Sequence, residues 1–143
     1  MKVSDIVKER PLSTIAPDKT VQEAIRILNQ HNIGALPVCD EKGELAGIIT
    51  ERDVLRLCDG GDVAKGLQQK VSAVMTKNLI ICVPDDSIEN AMRVMTNKRI
   101  RHLPIIGEGR RLVGILSIGD IVKAKLDDAS TEIRFLRDYV TGG

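Results

Sequence analysis

The sequence predicts an α/β (α+β) fold: two β-α-β-β-α repeats related by a pseudo-two-fold axis and packed as one module, plus a C-terminal helix. Three observations predict it. At an offset of 67 residues, 12 of the 44 positions from Ile15 to Cys58 are identical to those from Cys82 to Lys125, with no gap. Each copy shows the same order of apolar patterns, two-residue for strands and 3.6-residue for helices. A unit of about 60 residues buries only a marginal core by itself, so the copies must cover each other's exposed faces. An internal repeat of this kind sets the architecture before any local reading.

The elements follow in order. "VSDIV" (3–7) matches "VSAVM" (71–75) at an offset of 68, which puts one extra residue between Lys8 and Ile15. "LSTIA" and "LIICV" read as short strands stopped by Pro17 and Pro84. Thr20 and Ser87 then cap helices, with Val21, Ala24, Ile25 and Leu28 in one copy and Ile88, Ala91, Met92 and Met95 in the other at helical spacing. Thr20 with Glu23 makes a capping-box pattern. "ALPVCD" and "LAGIIT" are two strands joined at "EKGE"; "HLPIIG" and "LVGILS" repeat them around "EGRR". A second helix starts at Thr50 or Ser117. The expected division is repeat one over 1–58, a glycine-bearing linker over 59–70, repeat two over 71–126 and a tail over 127–143.

Composition excludes several function classes. Net charge is +1, and the only aromatics are Phe135 and Tyr139. There is neither a broad basic surface nor a base-stacking platform, so no nucleic-acid partner is expected. No apolar run approaches the ~20 residues that span a bilayer, so no membrane partner is expected. The start, "MKVSDIVKERP", lacks the apolar core of a secretory signal, which makes the cytoplasm the expected location. Cys39, Cys58 and Cys82 have no metal-ligand spacing, and no metal site is expected. Cys39 and Cys82 read as buried thiols, and Met75, Met92 and Met95 as core packing. His31 reads as a helix-end cation.

The chemistry lies in a repeated motif, Gly-x-x-[Thr/Ser]-x-x-Asp: "GIITERD" from Gly47 to Asp53 and "GILSIGD" from Gly114 to Asp120. One reading is structural. Thr50 and Ser117 cap the following helices, the aspartates complete capping boxes, and the glycines allow close strand packing. The other is functional. A helix N-terminus with a hydroxyl cap takes a phosphate, a first-turn carboxylate accepts from a ribose diol, and the glycine lets a ligand approach the backbone. Two such motifs in register strengthen the functional reading.

"TIAPDKTVQEAI…NIGALPV…LAGIITERDVL" and its second copy resemble two tandem cystathionine-β-synthase (CBS) domains, paired as a Bateman module of the small stand-alone type, over residues ~3–126. The resemblance implies a regulatory sensor, not an enzyme. Its ligands would be adenosine compounds (AMP, ADP, ATP, NAD or S-adenosylmethionine) bound in clefts between the repeats, with no catalytic cofactor. It implies ribose or phosphate contacts at Asp53, Asp120, Thr50 and Ser117. It implies adenine contacts near Ile15, Ile33 and Ala35 in one copy, and near Cys82, Ile100 and His102 in the other. Arg52, Arg99, Arg101 and His102 are candidate phosphate partners, or else a solvated basic rim. A structural or partner-docking module with vestigial sites is the alternative. An unidentified regulated protein is the implied partner, because no effector domain is recognisable in the sequence.

The tail "STEIRFLRDYV" (130–140) reads as a helix capped by Ser130 or Thr131, with Ile133, Leu136 and Val140 on one face and Phe135 and Tyr139 beside it. So wide an apolar surface must cover something: the module's own flank, or a second subunit in a homodimer.

Overall fold

The computed structural model of the chain describes residues 1–7 and 12–141, without the side chains at 131, 132, 135 and 138–141. Its elements are α1 (Val3–Ile6), α2 (Val21–His31), β1 (Ala35–Cys39), β2 (Leu45–Thr50), α3 (Glu51–Asp59), α4 (Val63–Leu67), α5 (Val71–Val74), α6 (Ile88–Lys98), β3 (His102–Ile106), β4 (Leu112–Ser117) and α7 (Ile118–Thr141). None of the described helices is long and apolar enough to cross a membrane.

Each repeat builds one antiparallel hairpin, β1 with β2 and β3 with β4. The registers correspond: Ala35 faces Thr50 as His102 faces Ser117, and both hairpins bulge one residue before the end of the first strand. In the first turn Asp40 Oδ1 accepts from the backbone N–H of Lys42 and of Glu44, both at 2.9 Å, while Gly43 takes φ +79°. That conformation suits glycine, which has no Cβ to clash. The two turns meet across the module, where Glu44 bridges Arg111.

The helices begin as the sequence indicates. Thr20 and Glu23 form a reciprocal capping box on α2, and Ser87 accepts from Asn90 N at the start of α6. Val21, Ala24 and Leu28 on α2 pack with Leu36, Val38 and Ile49 of the first hairpin; Ile88, Ala91 and Met95 on α6 pack with Leu103, Ile105 and Leu116 of the second. Met92 and Met75 pack against these cores. His31 sits exposed in the last turn of α2.

Three expectations change. The first strand of each repeat shrinks to a single parallel bridge, Ile15 to Val38 and Cys82 to Ile105. A proline two residues on removes the next donor from the ladder. The segment 59–70 carries a helix, α4, whose Asp62 cap accepts from Lys65 N. The tail is not a separately capped helix: α7 runs unbroken from the second motif through 24 residues, so Ser130 and Thr131 lie inside it.

The short N-terminal turns cross over between repeats. Val3, from α1, is fully buried in the core of the second repeat, and Val3 N donates to Asp86 O at 2.9 Å. Val71, from α5, is fully buried in the core of the first, and Val71 N donates to Lys19 O at 2.7 Å. Each core is therefore completed by the segment that precedes the other repeat. This reciprocity also explains the motif glycines. A Cβ on Gly47 would lie 2.6 Å from Met75 Sδ and 2.9 Å from Thr76 O, because the chain after α5 runs against β2 there. Gly114 is crowded in the same way by Val7 at 3.1 Å. The glycines admit the crossing segments, not a ligand.

Burying a valine contributes about 1.5–3 kcal/mol. Val3→Ala and Val71→Ala should each lower stability by a large part of that amount. Native-state hydrogen exchange should place the loss across the crossover: Val3→Ala loosening α6 and β3, Val71→Ala loosening α2 and β1. Loosening confined to the mutated repeat's own half of the sequence would contradict the exchange.

Candidate functional site

Beside the first motif lies a cleft of about 500 Å³ whose walls come from both halves of the sequence. The first repeat supplies Gly34, Ile48 and the β2–α3 junction from Thr50 to Arg56; the second supplies 76–80 and Arg99–His102 with Pro104. Strand β2 ends at Thr50, which is also the N-cap of α3. The chain thus turns from strand to helix at the cleft and presents Thr50, Arg52 and Asp53 to it.

Asp53 is the one buried charged residue among the described residues, at 6% exposure. Its carboxylate is well bonded. Oδ2 accepts from Thr50 N at 2.9 Å and Thr50 Oγ1 at 3.2 Å; Oδ1 accepts from Thr76 Oγ1 at 3.1 Å. A carboxylate has about four acceptor positions, so these three donors do not exhaust it, and Asp53 lines the cleft. Thr76 was not singled out by the sequence. Its signal was weak: it pairs with β2 through Ile48, and only the fold brings it to Asp53.

Both walls carry basic residues. Arg52, Arg56, Arg99 and Arg101 line the cleft with two carboxylates, Glu51 and Asp53. None of these four arginines is in an ion pair among the described residues. Arg99 also holds a left-handed backbone, φ 55° and ψ 43°, as the C-cap of α6. Asn32 fills the matching position after α2 with φ 51° and ψ 49°. Asparagine visits this region readily and arginine does not. His102 is half-buried where β3 begins, 3.5 Å from the place a Cβ on Gly34 would occupy. Burial pulls its pKa below the ordinary value, with Arg101 acting the same way and Glu51 and Asp120 opposing. The imidazole is therefore biased toward its neutral form.

The structure brings Thr50, Arg52, Asp53, Arg99, Ile100, Arg101 and His102 together around this cleft. It leaves others out. Cys82 does not line this cleft: its thiol is buried in the second core, its pKa pushed up to about 11 by burial and then by Asp86. Its backbone is also committed, with Cys82 N donating to Pro104 O and Cys82 O accepting from Ile106 N. Ile15 is the same case in the first core, bonded to Pro37 and Cys39. Leu79 and Ile80, just before the bridge, reach the cleft instead. Ile33 and Ala35 pack toward the first core, and Cys39 is half-buried while Cys58 is exposed. Ser117 and Asp120 form their own junction, with Asp120 Oδ2 accepting from Ser117 N at 3.0 Å, outside this cleft's lining. The counterpart of Thr76 by the 68-residue offset is Lys8, which falls outside the described residues.

With this geometry in place, comparison with known proteins is informative. The CBS domain family profile matches residues 3–60 and 71–127. The chain is 38% identical over 152 residues to the CBS domain-containing protein CBSX3, mitochondrial, of Arabidopsis thaliana, covering 99% of this chain and 72% of that one. Among solved structures, the CBS-domain containing protein ATU1752 from Agrobacterium tumefaciens is 43% identical with a TM-score of 0.79, over 87% of this chain and 98% of that one. The CBS domain pair of protein MJ0100, in complex with 5′-methylthioadenosine and S-adenosyl-L-methionine, is 29% identical with a TM-score of 0.79, over 90% and 98%. CBSX2 in complex with AMP is 26% identical with a TM-score of 0.80, over 90% and 98%.

Two outcomes follow from the site's own physics. With its pKa lowered in the folded state, His102 takes up its proton more readily when unfolded. Its contribution to stability is full above the unfolded value near 6.5 and is lost as pH falls below it. Denaturant midpoints should therefore drop as pH falls below about 6.5, and His102→Asn should flatten that slope; an unchanged slope would remove His102 as its cause. Replacing Arg99 by asparagine should relieve the left-handed strain and raise stability by up to about 1 kcal/mol, while lowering affinity for a phosphate-bearing ligand.

Proposed function

The chain belongs to the CBS domain family as a two-domain member, and from that premise we propose that it is a regulatory sensor that binds an adenosine-containing ligand in the cleft between its repeats. One feature supports this above the others: a buried carboxylate on the first repeat, Asp53, shares a single cleft with four arginines, drawn from both repeats, that make no ion pair among the described residues. Such a cleft offers an acceptor for a ribose hydroxyl at one place and donors for a phosphate at another. MJ0100 with its adenosyl ligands and CBSX2 with AMP are relatives consistent with it.

In this reading Asp53 Oδ1 and Thr76 Oγ1 share the ribose diol, and Thr50 lies beside them. Ile100 and Pro104 give the base an apolar wall, as nucleoside pockets require. Arg52, Arg99 and Arg101 take the phosphate, with His102 alongside. AMP, ADP, ATP and NAD all carry the needed parts. Ser117 and Asp120 hold the same roles in a second site, where Ile33 and Ala35 replace Ile100 and His102. That site has Asn32 and Gly34 in place of two arginines, so it is the weaker for phosphate. The chain acts on another protein rather than on a substrate, as a homodimer. A cytoplasmic setting belongs to the same reading, although the relative CBSX3 is mitochondrial by name.

Isothermal calorimetry tests this. AMP should bind with micromolar affinity, roughly −8 kcal/mol. Losing a charge-assisted contact costs about 1.5–3 kcal/mol, so Asp53→Ala should weaken the tighter site about tenfold or more, with circular dichroism confirming the fold. Asp120→Ala should act only on the weaker site. AMP should bind better than adenosine, and the gap should narrow with salt. Equal affinity for both at low salt returns the arginines to a solvated rim. No binding of any adenosine compound leaves a docking module with vestigial sites.

A further inference from the structure

Among the residues that line the first cleft, His102 is the one whose charge can change near neutral pH. It begins β3, and its partner across the strand pair is Ser117, the last residue of β4. Its side chain therefore lines the first cleft while its backbone belongs to the second junction.

Gly34 makes this placement possible. A Cβ there would lie 2.7 Å from Glu51 Oε1 and 3.5 Å from His102 Cε1. The carboxylate of one repeat and the imidazole of the other thus converge on the space that the glycine leaves open. Two more charged groups act on the ring: Asp120, in the first turn of α7, and Arg101, its neighbour in sequence. Arg52, Arg56 and Arg99 line the same cleft. No hydrogen bond holds the imidazole among the described residues, so neither nitrogen is committed to a protein partner.

The charge state of this ring is a contest. Burial favours the neutral form, Glu51 and Asp120 favour the cation, and Arg101 sides with burial. Burial prevails, but against opposition, so one further charge can decide the outcome. A phosphate monoester brings about −1.5 to −2 at pH 7, and an opposite charge within about 4–6 Å favours the ionised form of its neighbour. The arginines cannot respond in this way, because they stay protonated throughout.

We propose that the first cleft takes up a proton from solvent together with its nucleotide: a phosphate entering among the arginines turns His102 from neutral to cationic, so that occupancy of the site responds to pH. The inference rests on the nucleotide reading of the cleft and adds regulation to it. Because uptake and affinity are linked, AMP binds more tightly as pH falls through neutrality. The arginines alone would give the opposite sign. With its second pKa near 6, AMP keeps about a tenth of a proton on its phosphate at pH 7, and a cluster of cations expels it.

Calorimetry of AMP at pH 7 in buffers of different ionisation enthalpy reads the number of protons and their sign. The wild-type chain should take up roughly half a proton or more per AMP in the tighter site. His102→Gln should instead release about a tenth, and adenosine should exchange none with either protein. Proton NMR follows the ring in the unaltered chain, since His31 is the only other histidine and is exposed. AMP should move the His102 titration to higher pH and leave that of His31 in place. Glu51→Gln should move the His102 titration of the free protein to lower pH. Binding of AMP with proton release, or with no exchange and an unmoved His102 titration, overturns the inference and leaves the nucleotide reading standing. Uptake that persists in His102→Gln places the proton on another group and overturns it equally. Failure of every adenosine compound to bind overturns the nucleotide reading, and this inference with it.

Discussion

The structure turns on the carboxylate of Asp53. It closes the cap where β2 becomes α3, through Thr50 N and Oγ1, and it holds Thr76 on the chain that crosses from the second repeat. A carboxylate buried to 6% exposure is tolerable only when hydrogen bonds compensate its loss of water. The three donors meet that condition, and each belongs to a different constraint: the strand end, the helix start and the crossover. Removing the carboxylate would release all three at once. Fold and candidate site therefore share one residue, so the structural and functional readings of the repeated motif are not competitors. The cap holds Asp53 in place at the wall of the cleft.

Duplication then gave two junctions of the same design with different chemistry. Both keep the hydroxyl and the aspartate, and in both the aspartate accepts from the backbone N–H of its own cap. The surroundings diverge. Where the first cleft has Arg99 and Arg101, the offset places Asn32 and Gly34 in the other copy. Gly34 is itself part of the first cleft: a Cβ there would lie 2.7 Å from Glu51 Oε1. One small residue thus leaves room on one side while its large counterpart, Arg101, supplies charge to the same space. Arg99 keeps a backbone conformation that asparagine would hold at lower cost. Strain retained at a cleft, beside unpaired cations, is where the two copies depart furthest from interchangeability.

Much of this was legible in the sequence because it is local or periodic. The repeat offset, the capping residues Thr20 and Ser87, the hairpins and the core face of α6 depend on neighbours within a few positions. So did the pairing of Thr50 with Asp53. What could not be read depends on contacts distant in sequence. Nothing near Val3 says that it belongs to the second core, nor that Val71 belongs to the first; both lie in matched segments, and the match itself suggested that each stayed with its own repeat. Thr76 was invisible for the same reason. Nor does alternation around Cys82 say which of its backbone groups the neighbouring strand consumes. The tail was read as a separate helix because Ser130 and Thr131 look like caps, yet no glycine or proline breaks the chain between Ser117 and Ser130 apart from Gly119 in the first turn. Helix propagation adds a bond for each residue fixed, so continuation wins over a new start.

That continuity bears on how such a module produces an output. α7 begins at Ser117, whose cap is closed by Asp120, and ends beyond the apolar seam. One continuous helix, about 36 Å long, thus joins the second motif to the exposed apolar positions Leu126, Ile133 and Leu136. Coupling between two sites is a free energy shared by both and is reciprocal by necessity. A ligand that changed how α7 leaves its cap would change the cost of any contact made along its exposed length, and that contact would change affinity at the cap by the same factor. No chain of side-chain rearrangements is required, because the helix itself carries the difference. The first junction has no such extension: α3 stops at Asp59, capped by Gly60. The two junctions are therefore unequal twice over, the first in the charge that surrounds it and the second in the length of the helix that leaves it.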